Sequence, residues 1–312
     1  MKKCKNTFII VLVFLLLAGC TQDEKQKNKN TSASKDLGAE PQKVINLPPP
    51  NESDYSQKMG SQNSEEFNLM NTGTTMTDAQ LKTYLYNKFQ TPKLWGEFLP
   101  GIMTSLNTAN KYIALTFDAC GGPNGSGYDS QLIYYLRQQN IPATLFINSR
   151  WIDSNYNTFM ALSKIPLFEI ENHGTQHRPL SMNGREAWGI KGTQNVNEIT
   201  DEVLNNDRKI KRLIGRTPYF FRSGTAYYDE TGIRVAKEIG EQPVNYNVLG
   251  DAGATFKKEQ VRDALFKAAP GSIVLMHMNH PEGETFEGLK LAIPELKNRG
   301  FKFVRLADIQ LK

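Results

Sequence analysis

Two histidines, His173 and His177, stand four positions apart in NHGTQH, directly after the apolar run LFEIE. Imidazoles at that spacing can face one ion from a helix or from a tight loop, and a divalent cation of the zinc type commonly takes nitrogen donors in this way. They account for half of the chain's four histidines. A third, His277, ends the run SIVLM, and three charged side chains also follow apolar runs: Asp118 after YIALTF, Arg222 after YFF and Asp251 after VNYNVLG. Hydrolysis of an amide or ester needs an activated water, stabilisation of a tetrahedral oxyanion and a proton for the leaving group, and these residue types can supply each.

Such residues act together only if the fold gathers them. From Lys111 onward the apolar runs YIALTF, ATLFI, LFEI, YFF, VNYNV, SIVLM and FKFV alternate with longer helical patterns such as SQLIYYLRQQN, VNEITDEVLNNDRKIKRLIG, ETGIRVAKEIG and EQVRDALFKAA. Short continuous apolar strands between amphipathic helices predict an α/β fold with a parallel sheet covered by helices, open or closed into a barrel. In either form ligands sit at the carboxyl ends of the strands, where the residues above fall. No GxGxxG or Walker pattern follows the first strand, so a nucleotide has no support as a ligand.

In this order the motifs resemble the polysaccharide deacetylase family with the NodB homology domain, a carbohydrate esterase 4-like family. TFDA at 116–119 stands against the family's TFDD, and His173-Gly174-Thr175-Gln176-His177 against H-[ST]-x-x-H with Gly in the second place. Phe221-Arg222-Ser223-Gly224 loosely matches FRPPxG, Leu275-Met276-His277 matches Leu-x-His, and Asp251 weakly matches an Asp near a Trp. The resemblance covers residues 111–312 and implies a distorted (β/α) barrel of about seven parallel strands.

It also implies removal of acetyl groups from a glycan, N-acetylated amino sugars such as peptidoglycan or a chitin-like polymer first, with O-acetylated xylan as an alternative. One divalent metal ion is implied, Zn²⁺ before Co²⁺, Ni²⁺ or Mn²⁺, held by His173 and His177. Asp118 matches the catalytic base and His277 the proton donor. Arg222 would pair with Asp118, Asp251 would orient His277 or steady Arg222, and the backbone N–H near Thr225 is the oxyanion donor by analogy. The expected partner is an acetylated polysaccharide or oligosaccharide, with Trp188 and Tyr227, and also Trp151 and Tyr228, as candidates for stacking on sugar rings. A non-catalytic glycan-binding lipoprotein on the same fold is the rival reading.

The chief departure is Ala119, where the family's second Asp completes the metal site. Asp129, in GGPNGSGYDS, is the first candidate for a replacement ligand, because the Gly-rich segment could fold back over the strand ends. As an alternative it caps the helix SQLIYYLRQQN. Cys120 could supply a thiolate, Asp118 could itself join the histidines, or no metal binds tightly.

The remaining sequence sets the address. The chain has 312 residues and a formal charge of +5 spread in mixed-sign stretches, which gives no basic patch for nucleic acid. MKKCKN followed by TFIIVLVFLLLAG has the layout of an export signal, and Leu17-Ala18-Gly19-Cys20 resembles a lipobox in which Cys20 is lipidated. The expectation is a signal peptide over 1–20 and an exported protein, lipid-anchored on the extracytoplasmic face of the membrane. A polar linker follows over 21–75, rich in Lys, Asn, Gln, Ser and Pro. A helical extension over 76–110, built on MTDAQLKTYLYNKFQ, precedes the domain at 111–312. With Cys4 removed and Cys20 acylated, Cys120 has no cysteine to pair with.

Overall fold

The structure, a computed structural model, describes residues 77–89 and 91–312. The expected signal peptide, Cys20 and the expected linker lie outside the described residues.

Eight strands form one parallel sheet: β1 (Tyr112–Ala119), β2 (Ala143–Ile147), β3 (Phe168–Asn172), β4 (Phe220–Phe221), β5 (Gln242–Pro243), β6 (Val248–Leu249), β7 (Ser272–His277) and β8 (Lys302–Val304). The hydrogen-bonded path runs β6-β7-β1-β2-β3-β4-β5, with β8 paired to the first residues of β1. This is the distorted (β/α) barrel. Its end strands β5 and β6 are consecutive in the chain, and VNYNV falls between and across them instead of forming one strand. The reason lies in where its carbonyls go: those of Val244 and Asn245 accept from a buried guanidinium rather than from a ladder neighbour.

Strand alternation sorts β1 onto two faces. Ile113, Leu115, Phe117 and Ala119 join one apolar cluster, packed under helices α2 (Ser130–Gln138), α7 (Lys258–Phe266) and α8 (Thr285–Asn298). Ala114 belongs instead to the barrel's inner cluster with Phe146, Phe220, Val244, Ile273 and Leu275. Thr116 and Asp118 continue that inner face towards the rim, so a buried polar row grows out of an apolar floor.

Helix α5 (Val196–Ile214) starts at Asn195, whose side chain accepts from the Glu198 N–H, and stops at Gly215 in the left-handed conformation. Helix α6 (Glu230–Ile239) ends the same way at Gly240. The helix predicted in the extension, α1 (Asp78–Lys88), carries a capping box between Thr77 and Gln80. It lays Leu85 into the cluster that α5 and α6 share, and burying one leucine contributes about 1.5–3 kcal/mol. The domain also begins earlier than residue 111, because Met103, Ser105 and Leu106 bridge to Val244, Ser272 and Leu311.

Candidate active site

Register alone draws the distant residues together. Asp118 and His277 are neighbours across β1 and β7, and Asn172 pairs with both Ile147 and Phe221. His173 and Arg222, one residue further along β3 and β4, therefore emerge side by side at the same rim. There Oδ1 of Asp118 accepts from Arg222 Nη1 at 2.8 Å, and Oδ2 lies 3.6 Å from His173 Nε2.

Arg222 is fully buried, which is tolerable for a guanidinium only if its donors are matched. Besides Asp118 it donates to Thr116 Oγ1 at 2.8 Å, to the Val244 carbonyl at 3.2 Å and to the Asn245 carbonyl at 3.1 Å. Its plane also lies 4.2 Å from the ring centroid of Phe146. The arrangement holds Asp118 in one orientation at the strand tip.

His173 Nδ1 sits 2.9 Å from the Arg222 carbonyl. A carbonyl can only accept, so Nδ1 carries the hydrogen and Nε2 turns its lone pair towards Asp118 and Cys120. The Cys120 sulfur is 3.8 Å from that nitrogen. His177, held at φ 60°, places its ring 4.9 Å from that of His173, and its Nε2 is buried without a hydrogen-bond partner among the described residues. One ligand atom from each of Cys120, His173 and His177 lies within 4.8 Å of the others. An orphaned imidazole nitrogen beside a thiol and a second nitrogen donor fits a divalent cation of the zinc type. Burial pushes the Cys120 thiol up, but the surrounding imidazoles of His177, His173 and His277 outweigh it and hold the thiol well below the usual range.

Asp129 is not among the groups that converge. Its carboxylate caps α2, accepting from the Leu132 N–H at 2.9 Å, and its own N–H is tied to the Met278 carbonyl. The Gly-rich segment thus docks on the β7 side without carrying Asp129 to the histidines. Ala119 is fully buried in the outer apolar cluster and offers the site no ligand atom.

The loop carrying the histidines rests on Glu202 of α5, a residue that no sequence motif marks. The Glu202 carboxylate accepts from the backbone of Gln176 and Arg178, and its carbonyl accepts from Thr175. Burial raises it to about 7, with those donors opposing. Gly174 follows from this support: at φ +78°, a Cβ there would stand 2.5 Å from Glu202 Oε1. Gly224 is likewise required, because a Cβ would meet the His177 carbonyl carbon at 2.3 Å.

On the opposite side, Asp251 accepts from His277 through Nδ1 at 2.9 Å and from the His277 backbone N–H at 2.7 Å, while Thr285 donates to it at 3.0 Å. Burial lowers the His277 pKa, but the Asp251 charge overcomes this and raises it well above the ordinary imidazole value. The Thr225 N–H has no acceptor among the described residues. Trp188, exposed on the hairpin of Glu186–Ala187 with Ile190–Lys191, has its ring 6.0 Å from Tyr227, which in turn lies 5.6 Å from Trp95. Trp95 belongs to the extension, where no sequence signal marked it. Trp151 and Tyr228 are fully buried and so unavailable to a sugar: Trp151 donates to the Gly127 carbonyl, and the Tyr228 hydroxyl accepts from the Ser223 N–H. His280 pairs with Glu282 near the surface.

A family model described as polysaccharide deacetylase matches residues 105–244. The chain is 27% identical over 203 residues to the peptidoglycan-N-acetylglucosamine deacetylase of Bacillus cereus, covering 64% of this chain and 88% of that protein. A CE4 family pseudoenzyme from Bacillus anthracis shares the fold at a TM-score of 0.56 and 21% identity, over 68% of this chain and 69% of that one. A family 4 acetyl xylan esterase from Clostridium thermocellum, solved with a cobalt ion, superposes with a TM-score of 0.52 at 25% identity, over 64% and 89% of the two chains. Motif order, strand path and family match agree that residues 105–244 carry a polysaccharide deacetylase domain.

Proposed function

We propose that the domain hydrolyses acetyl groups from an acetylated glycan, with N-acetylated amino sugars of a peptidoglycan- or chitin-like polymer as the substrate class. The observation that carries this reading is the placement of a proton acceptor and a proton donor, Asp118 and His277, at paired positions of adjacent strands beside the Cys120, His173 and His177 cluster. The similarity to a peptidoglycan-N-acetylglucosamine deacetylase supports the choice of substrate class.

His173 and His177 would hold a divalent ion, Zn²⁺ first, which when bound makes water more acidic and polarises the acetyl carbonyl. Asp118 takes a proton from the attacking water through Oδ2, since Oδ1 is committed to Arg222. The Thr225 N–H faces the oxygen on which negative charge develops. His277, kept protonated by Asp251, gives its proton to the departing amine. Trp188, Tyr227 and Trp95 offer apolar faces for neighbouring sugar rings.

The test is acetate release from acetylated oligosaccharides and cell-wall fragments, with loss of release in Asp118→Asn. Glycan binding without acetate release from the wild type would favour the second reading, a non-catalytic glycan-binding lipoprotein, whose support is the burial of Ala119 and the fold shared with a pseudoenzyme. We place the domain outside the cytoplasm on a lipid anchor at Cys20, on the strength of the LAGC segment. Release of a Cys20→Ser variant from the membrane fraction tests that assignment.

A further inference from the structure

Resting on the metal-dependent reading above, we infer that Cys120 is the third protein ligand of the ion, taking the place of the acid absent at 119 and making the site one for soft divalent metals. The strand period supplies the mechanism. Phe117 and Ala119 point into the outer core while Asp118 faces inward, so the position that next returns to the inner face is 120, not 119. There the sulfur stands 3.8 Å from His173 Nε2 and within 4.8 Å of a ligand atom of His177.

The other candidates are wholly or partly committed elsewhere. Asp118 spends one oxygen on Arg222, Asp129 caps α2, and Asp251 is saturated by His277 and Thr285. The two imidazoles, by contrast, are set up as donors: the hydrogen of His173 is fixed on Nδ1, and His177 Nε2 is buried without a hydrogen-bond partner among the described residues. Three protein donors are the number that catalytic zinc sites use, and a His/Cys donor set is one such sites accept. A thiolate among them favours Zn²⁺ and Co²⁺ over Mg²⁺ and Mn²⁺, which prefer oxygen. The same ligand gives more charge to the ion than a carboxylate does, and Asp118 stays free to move protons.

Cobalt titration of the metal-free full chain, followed by absorption, tests the assignment. One equivalent of Co²⁺ is expected to bring up a near-ultraviolet thiolate-to-cobalt charge-transfer band together with visible d–d bands. Cys120→Ser should lose the charge-transfer band and weaken cobalt binding by at least ~10-fold, since removing even an outer hydrogen-bond partner of a ligand costs that much. Cys120→Asp, which keeps an anionic donor, should bind cobalt with d–d bands alone. Stoichiometric cobalt that depends on His173 and shows no charge-transfer band overturns the Cys120 assignment while leaving the hydrolase reading intact. Failure of the wild type to bind cobalt at all overturns both. If Cys120→Ser does not fold, the wild-type band and the Cys120→Asp spectrum still decide.

Discussion

Replacing Arg222 with methionine should unfold the site before it touches the chemistry. The side chain is fully buried and gives four hydrogen bonds, to Asp118, Thr116 and the carbonyls of Val244 and Asn245. Methionine fills much of the same volume against Phe146 but leaves the Asp118 charge buried without its partner. Removing one member of a buried pair costs about 3–5 kcal/mol. For a domain of this size each kcal/mol lowers Tm by about 2–4 °C, so the expected fall is about 6–20 °C. Thermal unfolding followed by circular dichroism measures it. Asp118→Asn combined with Arg222→Met removes the stranded charge, and the double variant should be about 1–3 kcal/mol more stable than the two single changes sum to. A Tm loss under about 3 °C, or strict additivity, would show that Arg222 and Asp118 are not the coupled pair described here.

Other consequences are open to direct measurement. Gly174→Ser restores the residue usual in the family motif, yet it should cost about 1–3 kcal/mol and weaken metal binding, because its Cβ meets Glu202 at a left-handed φ; an unchanged Tm would remove the argument from Glu202. Burial, then the charge of Asp207, pushes the Glu241 carboxyl well above its ordinary 4.5. Its contribution to stability is therefore full below about pH 4.5 and lost as pH rises through the folded-state value. Glu241→Gln, which can still accept from Asn172, should gain Tm relative to wild type as pH is raised, and parallel Tm curves would refute this. In Asp251→Asn the charge that keeps His277 protonated is gone, so the alkaline fall of kcat/KM should move to lower pH, and an unmoved limb would take His277 out of the proton-donor role.

What could be read from the chain was whatever depends on local pattern. The apolar runs announced the long strands β1, β2, β3 and β7, and a parallel sheet obliges their carboxyl ends to share a rim, so Asp118, His173, Arg222 and His277 could be gathered without coordinates. The donor beside the histidines was harder to read, because it turns on the phase of one strand at its last residue. Ala119 marks the core face and Cys120 the site face, a distinction that the run LTFDAC does not display by itself. Asp129 illustrates the opposite case: it stands directly before a helical pattern, and the capping rule that applies there also describes its observed bond to Leu132. Glu202 was invisible because its partners lie in a loop contributed by another part of the chain. Helix α8, with Pro294 inside it, runs against the usual reading of proline as a helix stop.

The extension is more than a spacer. Trp95 and Gly96 pair with Asp229 and Tyr228, Asn245 donates to the Glu97 carbonyl, and the Tyr246 hydroxyl donates to the Glu97 carboxylate. Asn245 is the residue whose own carbonyl caps the Arg222 guanidinium. Trimming the gene to start at Lys111, as motif boundaries would suggest, would strip this wall from the cleft and remove Leu106, a core residue with no exposure to solvent. A shortened protein that proved inert would then be reporting a broken scaffold, not missing chemistry.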